Sequence, residues 1–517
     1  MDAGPDAEMR GKIKTLDELT VEAAARRQLG QSVVLAHGVF DLLHIGHIRH
    51  LEAAAREGDV LFVTITADQF VNKGPGRPAF TGQLRAEALA ALACVDGVAI
   101  NNGPSAENVI AALRPNVYVK GVEYADAARD VTNKIDIEVR TVEAHGGRVV
   151  FTDDITFSSS ALINRYLDLH DPELKVYLAG QRDSGLLDRL TLLMDRLKTM
   201  KVLLVGDSII DEYRYVEPLG KSPKENMIAT LHKNDEVFAG GVLAAANHLA
   251  DFCASVEVVT LLGDGEAGYE DFVRKSLKSN VTLSAVRRGG APTTRKCRYV
   301  DIGYNVRKLF EVYYMDATLV AGETEDALCA AVGAAAPDTD LTIVTDFGHG
   351  MMSPNVIEAV QRNAKFLAVN AQSNSANLGF NLITKYPGAD YICIDQPEAR
   401  LAVTDNRTPI EVVVSEILPA RTGCGKIVVT RGGAGCLAYE QGKPLDVVPA
   451  FTNSIVDTVG AGDAFFVLSA PFVQMGAAMS DVGFVGNAAG ALKVGIIGHR
   501  SSVERAPFVK FLTALLK

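Results

Sequence analysis

Residues 33–51 read VVLAHGVFDLLHIGHIRHL. The run starts as a short apolar strand, turns tightly at Gly38, and resumes as a helix opened by His44-Ile45-Gly46-His47. A strand, a turn and a helix start in that order present free N–H groups and a partial positive charge to any anion that docks there. His44 and His47 are three residues apart and share a helical face. Gly46 lets a phosphate come close to the backbone. Two imidazole donors at such a place can stabilise charge developing on phosphorus. An HxxH pair alone is more often a surface or capping feature, so the rest of the chain has to decide.

Outward from this stretch, VLFVTIT (60–66), GVAIN (97–101) and VYVK (117–120) read as further buried strands. Helical patterns lie between them, which predicts a parallel sheet covered on both faces. From 167 to 199 the chain turns charged and partly helical with no strand signal, and reads as a connector ending in a helix. KVLLVGD (201–207) opens a second alternating segment, with strand-like runs at VEVVTLLG, LTIVTD, FLAVN, YICI and KIVVTRGG. The expectation is an α/β protein of two domains, 1–167 and 200–517, with a helical connector over 168–199.

Composition bounds the class. The 517 residues are 48% hydrophobic and 22% charged, enough to build sizeable cores. With 51 basic against 63 acidic residues the formal net charge is -12, which argues against nucleic-acid or anionic-membrane binding. No apolar run is long enough to span a bilayer, and the polar start MDAGPDAEMRGK has no secretory h-region. Seven cysteines occur without a CxxC pair, so the reading is reduced, mostly buried thiols in a cytoplasmic protein.

Taken with its neighbours, GVFDLLHIGH resembles the GxFDxxHxGH signature of the cytidylyltransferase-like nucleotidyltransferases. NKGPGRP (72–78), VKGVEY (119–124) and FSSSALI (157–163) fit the same family in order. The likeness covers about residues 12–167 and implies a Rossmann-like domain in which a sugar 1-phosphate attacks the α-phosphorus of an NTP. It implies that His44 and His47 stabilise the transition state. Gly38, Phe40, Gly46, Lys73, Arg77, Lys120, Ser158, Ser159 and Ser160 would hold nucleotide and phosphates. The nearest branch is that of the sugar-1-phosphate adenylyltransferases of the bacterial heptose pathway, which implies ATP. Glycerol-phosphate and ethanolamine-phosphate cytidylyltransferases share the motif, so CTP stays open.

DTVGAGDAFFVLSA (457–470) places small residues before a helix start, where successive N–H groups converge on an anion. Asp463 at that turn could accept a proton from an attacking hydroxyl. A lone GxGD is a structural turn, but the longer string resembles the signature of the ribokinase-like sugar kinases. That resemblance implies an α/β sandwich with Asp463 as base and Gly460, Ala461 and Gly462 as anion hole. VTRGGAGC (429–436) and GNAAGALKVG (486–495) resemble the nucleotide contacts, with Thr430, Gly432 and Asn487 as candidates. GDSIID (206–211), AGGVLAAANHLA (239–250) and PTTRKCRYV (292–300) supply Asp207, Asp211, Gly240, Gly241, Asn247, Lys296 and Arg298 for substrate. Lys296 and Arg298, on one strand face, could hold a second phosphate. The family's NxxE, linked to Mg²⁺, reads Asp395-Gln396-Pro397-Glu398, and the Asn that follows the Gly-Gly turn is Ala244.

A kinase that makes a sugar phosphate and a transferase that consumes one imply successive steps toward an NDP-sugar. The combination resembles the bifunctional heptose 7-phosphate kinase and heptose 1-phosphate adenylyltransferases of bacteria, with the halves in reversed order. The expected cofactor is Mg²⁺ with ATP as co-substrate, and CTP is the open alternative in the transferase. The expected partners are a sugar phosphate, an NTP and a second copy of the chain. Two alternatives remain: a cytidylyltransferase for another sugar or polyol phosphate with a matching kinase, and an active transferase with a regulatory kinase-like module.

Overall fold

The computed structural model describes residues 11–71, 74–75, 77–122, 135–152, 172–264, 269–301, 303 and 307–516. It divides into two compact units, Met1–Lys175 with Val509–Lys517, and Val176–Phe508.

The first unit is built on a parallel sheet whose spatial order is Ile13–Lys14, Gly97–Asn101, Val60–Thr66, Val33–Gly38, Val117–Gly121, Arg148–Thr152. Successive side chains of a strand point to opposite faces, and the core divides accordingly. Val33 and Leu35 join one apolar cluster with Leu19, Val109 and Leu113, while Val34 and Ala36 join another with Leu51, Ala86 and Leu89. Helices therefore cover both faces, and the central strand Val33–Gly38 is buried until it reaches the turn.

The second unit has a nine-stranded sheet ordered Val281–Arg288, Ser255–Gly263, Lys201–Gly206, Leu341–Asp346, Leu367–Ala371, Tyr391–Asp395, Lys426–Thr430, Cys436–Glu440, Asp446–Val448. All pairs are parallel except the last two, which are antiparallel. The helix Ala461–Gln474, buried from Ala464 to Val473, lies on this sheet and is tied to it by Tyr391 Oη and Ser469 Oγ at 2.9 Å. A smaller sheet, ordered Arg307–Tyr314, Arg295–Asp301, Ser208–Lys221, Ile228–Gly241, leaves the main one just after Gly206.

The stretch read as a connector folds as two helices, Pro172–Asp183 and Leu186–Leu197. Leu186, Leu190, Met194 and Leu197 form a buried stripe at helical spacing, so the second helix is part of the second unit's core. All seven cysteines are free thiols, five buried and two half-buried, as the composition suggested. No described helix is long and apolar enough to cross a membrane.

Candidate active sites

In the first unit the chain leaves the strand at Gly38 and passes through Phe40, whose φ of 46° is left-handed. His44 is the extended N-cap of the helix Ile45–Ala55, and its Nδ1 accepts the Gly46 N–H at 3.1 Å. This is the capping role that HxxH admits. The His44 and His47 rings nevertheless stack with centroids 3.9 Å apart, and Phe40 meets His47 edge-on at 5.1 Å. The helix start and both imidazoles thus converge at the end of the central strand.

Two basic residues assigned to phosphate have acidic partners of their own. Arg77 pairs at 3.0 Å with Asp41, which also accepts the Ala79 N–H. Lys120 pairs at 2.9 Å with Glu138, itself bonded to Tyr118 Oη. Sequence reasoning missed Arg85, a fully buried guanidinium that donates to Val39 O, Thr66 O and Phe80 O and pairs with Asp68. It holds the motif turn from behind, and no motif in the sequence singled it out. Lys73, Ser158, Ser159 and Ser160 lie outside the described residues.

The second unit holds a cavity of about 550 Å³. Gly460 to Asp463 line one end of it, Thr430, Gly432 and Asn487 line the wall beyond, and Asp211, Gly241, Lys296 and Arg298 come in from the smaller sheet. Gly460, with φ of 74°, is the N-cap of the helix Ala461–Gln474. The first N–H groups of a helix lack intrahelical partners; here the Ala461 N–H donates to Thr458 O, while Gly462, which has open space around it, lines the cavity with Asp463. Burial raises the pKa of Asp463, and the nearby charges of His499 and Lys493 oppose that shift.

Arg298 does not face substrate as a free cation: it pairs with Asp211 and, at 3.2 Å, with Glu311. Burial alone would raise Asp211, but Arg298 and His499 hold its carboxyl well below the usual range. A Cβ on Gly240 would sit 2.2 Å from Asp211 Oδ2, so the bare glycine is what lets that carboxylate lie where it does. Lys296 is buried beside it over the Tyr313 ring, its pKa lowered by burial. Among the described residues it has no ion-pair partner within 4.0 Å, unlike Arg298.

Two of the substrate candidates have other partners. Asp207 is not on the cavity: its Oδ2 accepts the N–H groups of Phe347 (2.9 Å) and His349 (3.4 Å). Burial and neighbouring Asp346 push it up to about 7. Asn247 is also elsewhere, bridging Ser276 O and the Lys278 N–H and so fixing the end of another helix. Asn487 does line the cavity, but its amide donates to Val448 O and Pro449 O, shaping the wall.

Asp395 and Glu398 form a capping box for the helix Gln396–Val403, each carboxylate accepting the other's backbone N–H. Both line the cavity. Burial and then Asp395 push Glu398 up to about 8, and burial raises Asp395. Carboxylate oxygens are the donors that Mg²⁺ takes, but among the described residues no group of three or more such side chains that could hold a metal ion is gathered, so the pair alone could reach one only with water completing the shell.

The family model described as cytidylyltransferase-like matches residues 35–165. Among curated relatives, the bifunctional protein HldE of Syntrophotalea carbinolica is 35% identical over 167 residues, 32% of this chain and 33% of that protein. The HldE of Geobacter sulfurreducens is 39% identical over 140 residues, 27% of each. The chain therefore spans about a third of the length of the curated relatives it matches. Phosphofructokinase-2 from Escherichia coli, solved in complex with substrates and products, superposes over 62% of this chain and all of its own with a TM-score of 0.50. At 14% identity that likeness shows the fold, which is ribokinase-like. The family model described as pfkB family carbohydrate kinase matches residues 199–506, more than half of the sequence, and the chain belongs to that family.

Proposed function

We propose that the chain is a cytoplasmic bifunctional enzyme of nucleotide-sugar synthesis. Its second unit moves the γ-phosphoryl group of ATP to O1 of a sugar phosphate, with heptose 7-phosphate as substrate. Its first unit joins a sugar 1-phosphate, which the kinase product becomes once a separate phosphatase has hydrolysed off the second phosphate, to a nucleotide from ATP and releases pyrophosphate. The observation that carries the reading is the single cavity in which Asp463 and a helix N-terminus meet Asp211 and Lys296.

In the kinase reaction Asp211 accepts hydrogen bonds from sugar hydroxyls, and Lys296 faces a second phosphate. Asp463 takes the proton of the attacking hydroxyl as its oxygen bonds to the γ-phosphorus and the bond to the ADP oxygen breaks. The N–H groups of Gly462 and Asp463 receive the transferring oxygens. Asp395 and Glu398 would hold Mg²⁺ through water, and the ion would supply neutralising positive charge to the phosphates. In the transferase reaction the sugar phosphate is itself the nucleophile, and His44 and His47 stabilise charge on the α-phosphorus. The cytidylyltransferase-like match makes CTP the second candidate nucleotide.

A one-pot reaction of protein, Mg²⁺, heptose 7-phosphate, four NTPs and pyrophosphatase, read by mass spectrometry, tests this. A second sample given heptose 1-phosphate tests the transferase by itself; a nucleotide-heptose product is expected there, and its mass names the base. Heptose bisphosphate alone would restrict the reading to the kinase. Asp463→Asn is expected to abolish phosphorylation and leave nucleotidyl transfer, and His47→Ala to do the converse. Loss of both activities in either variant would refute two separate sites. Gel filtration tests the accompanying proposal of a homodimer.

A further inference from the structure

The segment after the helix Met479–Lys493 carries a histidine outside every motif considered above. His499 lines the cavity, and its side chain is only 7% exposed. Its Nε2 lies 3.3 Å from Asp211 Oδ2, while Arg298 takes Oδ1 of the same carboxylate. The other edge of the ring abuts the anion-binding turn: a Cβ on Gly460 would sit 2.7 Å from His499 Cε1. Its Nδ1 is buried and has no hydrogen-bond partner among the described residues. An imidazole wedged between two functional groups, one nitrogen unsatisfied, is a costly way merely to fill space.

The loop that carries it is fastened to the same turn. Lys493 is fully buried, and its ammonium donates to Val459 O at 2.8 Å and Gly498 O at 2.7 Å. Gly498 N–H donates to Asp457 Oδ2, and Asp457 also accepts the Val459 N–H. Residues 457–460 and 498–499 are thereby one bonded unit, with the imidazole as its projection toward the sugar side.

We propose that His499 is a positioning residue of the phosphoryl-transfer site. It fixes Asp211 Oδ2 toward the sugar and keeps that carboxylate in register with the Gly460 turn, so that the hydroxyl held by Asp211 is presented to Asp463. This rests on the kinase reading above. Without the imidazole, Asp211 Oδ2 loses its donor while Arg298 keeps only Oδ1, and the sugar loses its orientation while the nucleotide end is untouched.

The test is steady-state phosphoryl transfer by the full chain, with ATP and a panel of sugar phosphates that includes heptose 7-phosphate. His499→Ala is expected to raise KM for the sugar phosphate about tenfold with KM for ATP changed by less than about twofold. His499→Gln, which keeps a donor, should recover most of the loss. His499→Phe, which fills the volume without a donor, should not. Equal sugar KM in the Gln and Phe variants, or parallel rises in both KM values, would overturn the proposal, and this pair decides even if the Ala variant does not fold. No transfer by the wild type to any sugar phosphate would overturn the kinase reading and this inference with it.

Discussion

At the residue scale, the proposed base Asp463 should set the pH behaviour of the kinase reaction. A base must be ionised to accept a proton, and burial raises the pKa of this one. Activity should fall as pH drops through that raised value, so the acid limb of kcat/KM should lie above the ordinary carboxylate range of about 4. A limb at or below that range would show that another group is the base. Asp463 was readable because it closes a long motif. Of the two aspartates in GDSIID, Asp211 was the preferred candidate, and Asp207 was kept beside it because both sit at a strand end. The chain changes sheets between them, after Gly206, and only Asp211 is carried to the cavity. The pairing of Arg298 with Asp211 was hidden as well, since alternation gives the face of a side chain and not its partner. His499 had no motif to announce it.

At the element scale, the kinase site depends on the start of one helix. Gly460→Ala would place a Cβ in a left-handed conformation, which costs about 1–2 kcal/mol, and against His499 and the Lys493 side chain. The turn should move, and kcat for phosphorylation should fall at least about tenfold while far-UV circular dichroism stays native. Further along, Gly486 on the helix Met479–Lys493 lets Phe465 of the neighbouring helix approach, and a Cβ there would lie 2.3 Å from the ring. Gly486→Val should destabilise by about 1–3 kcal/mol through overpacking, seen as a lower Tm. The parallel strands were legible because they are buried on both faces and read as apolar runs. The arms Ser208–Lys221 and Ile228–Gly241 were not read as strands. Their outer halves are exposed and mixed in polarity, so no hydrophobic period marks them.

At the scale of the molecule, each unit has its own apolar clusters, so each site rests on its own core. A non-hydrolysable ATP analogue at about 100 times its Kd should stabilise a unit that binds it by about 2.7 kcal/mol. Calorimetry of the Asp463→Asn chain should show that shift in the transition of the Val176–Phe508 unit, and an unmoved transition would place ATP elsewhere. Two domains were legible from the two motifs. The ownership of the connector helix was not, because its buried stripe has meaning only beside the surface it meets. The thiols described above have a practical consequence. Burial raises the pKa of all seven, so thiolate is scarce at neutral pH and the chain is a quiet background for alkylating dyes. Cysteines placed at exposed Leu29 and Phe380, one in each unit, would take a donor and an acceptor fluorophore. The separation of the two units during turnover would then be readable, one molecule at a time, as a colour.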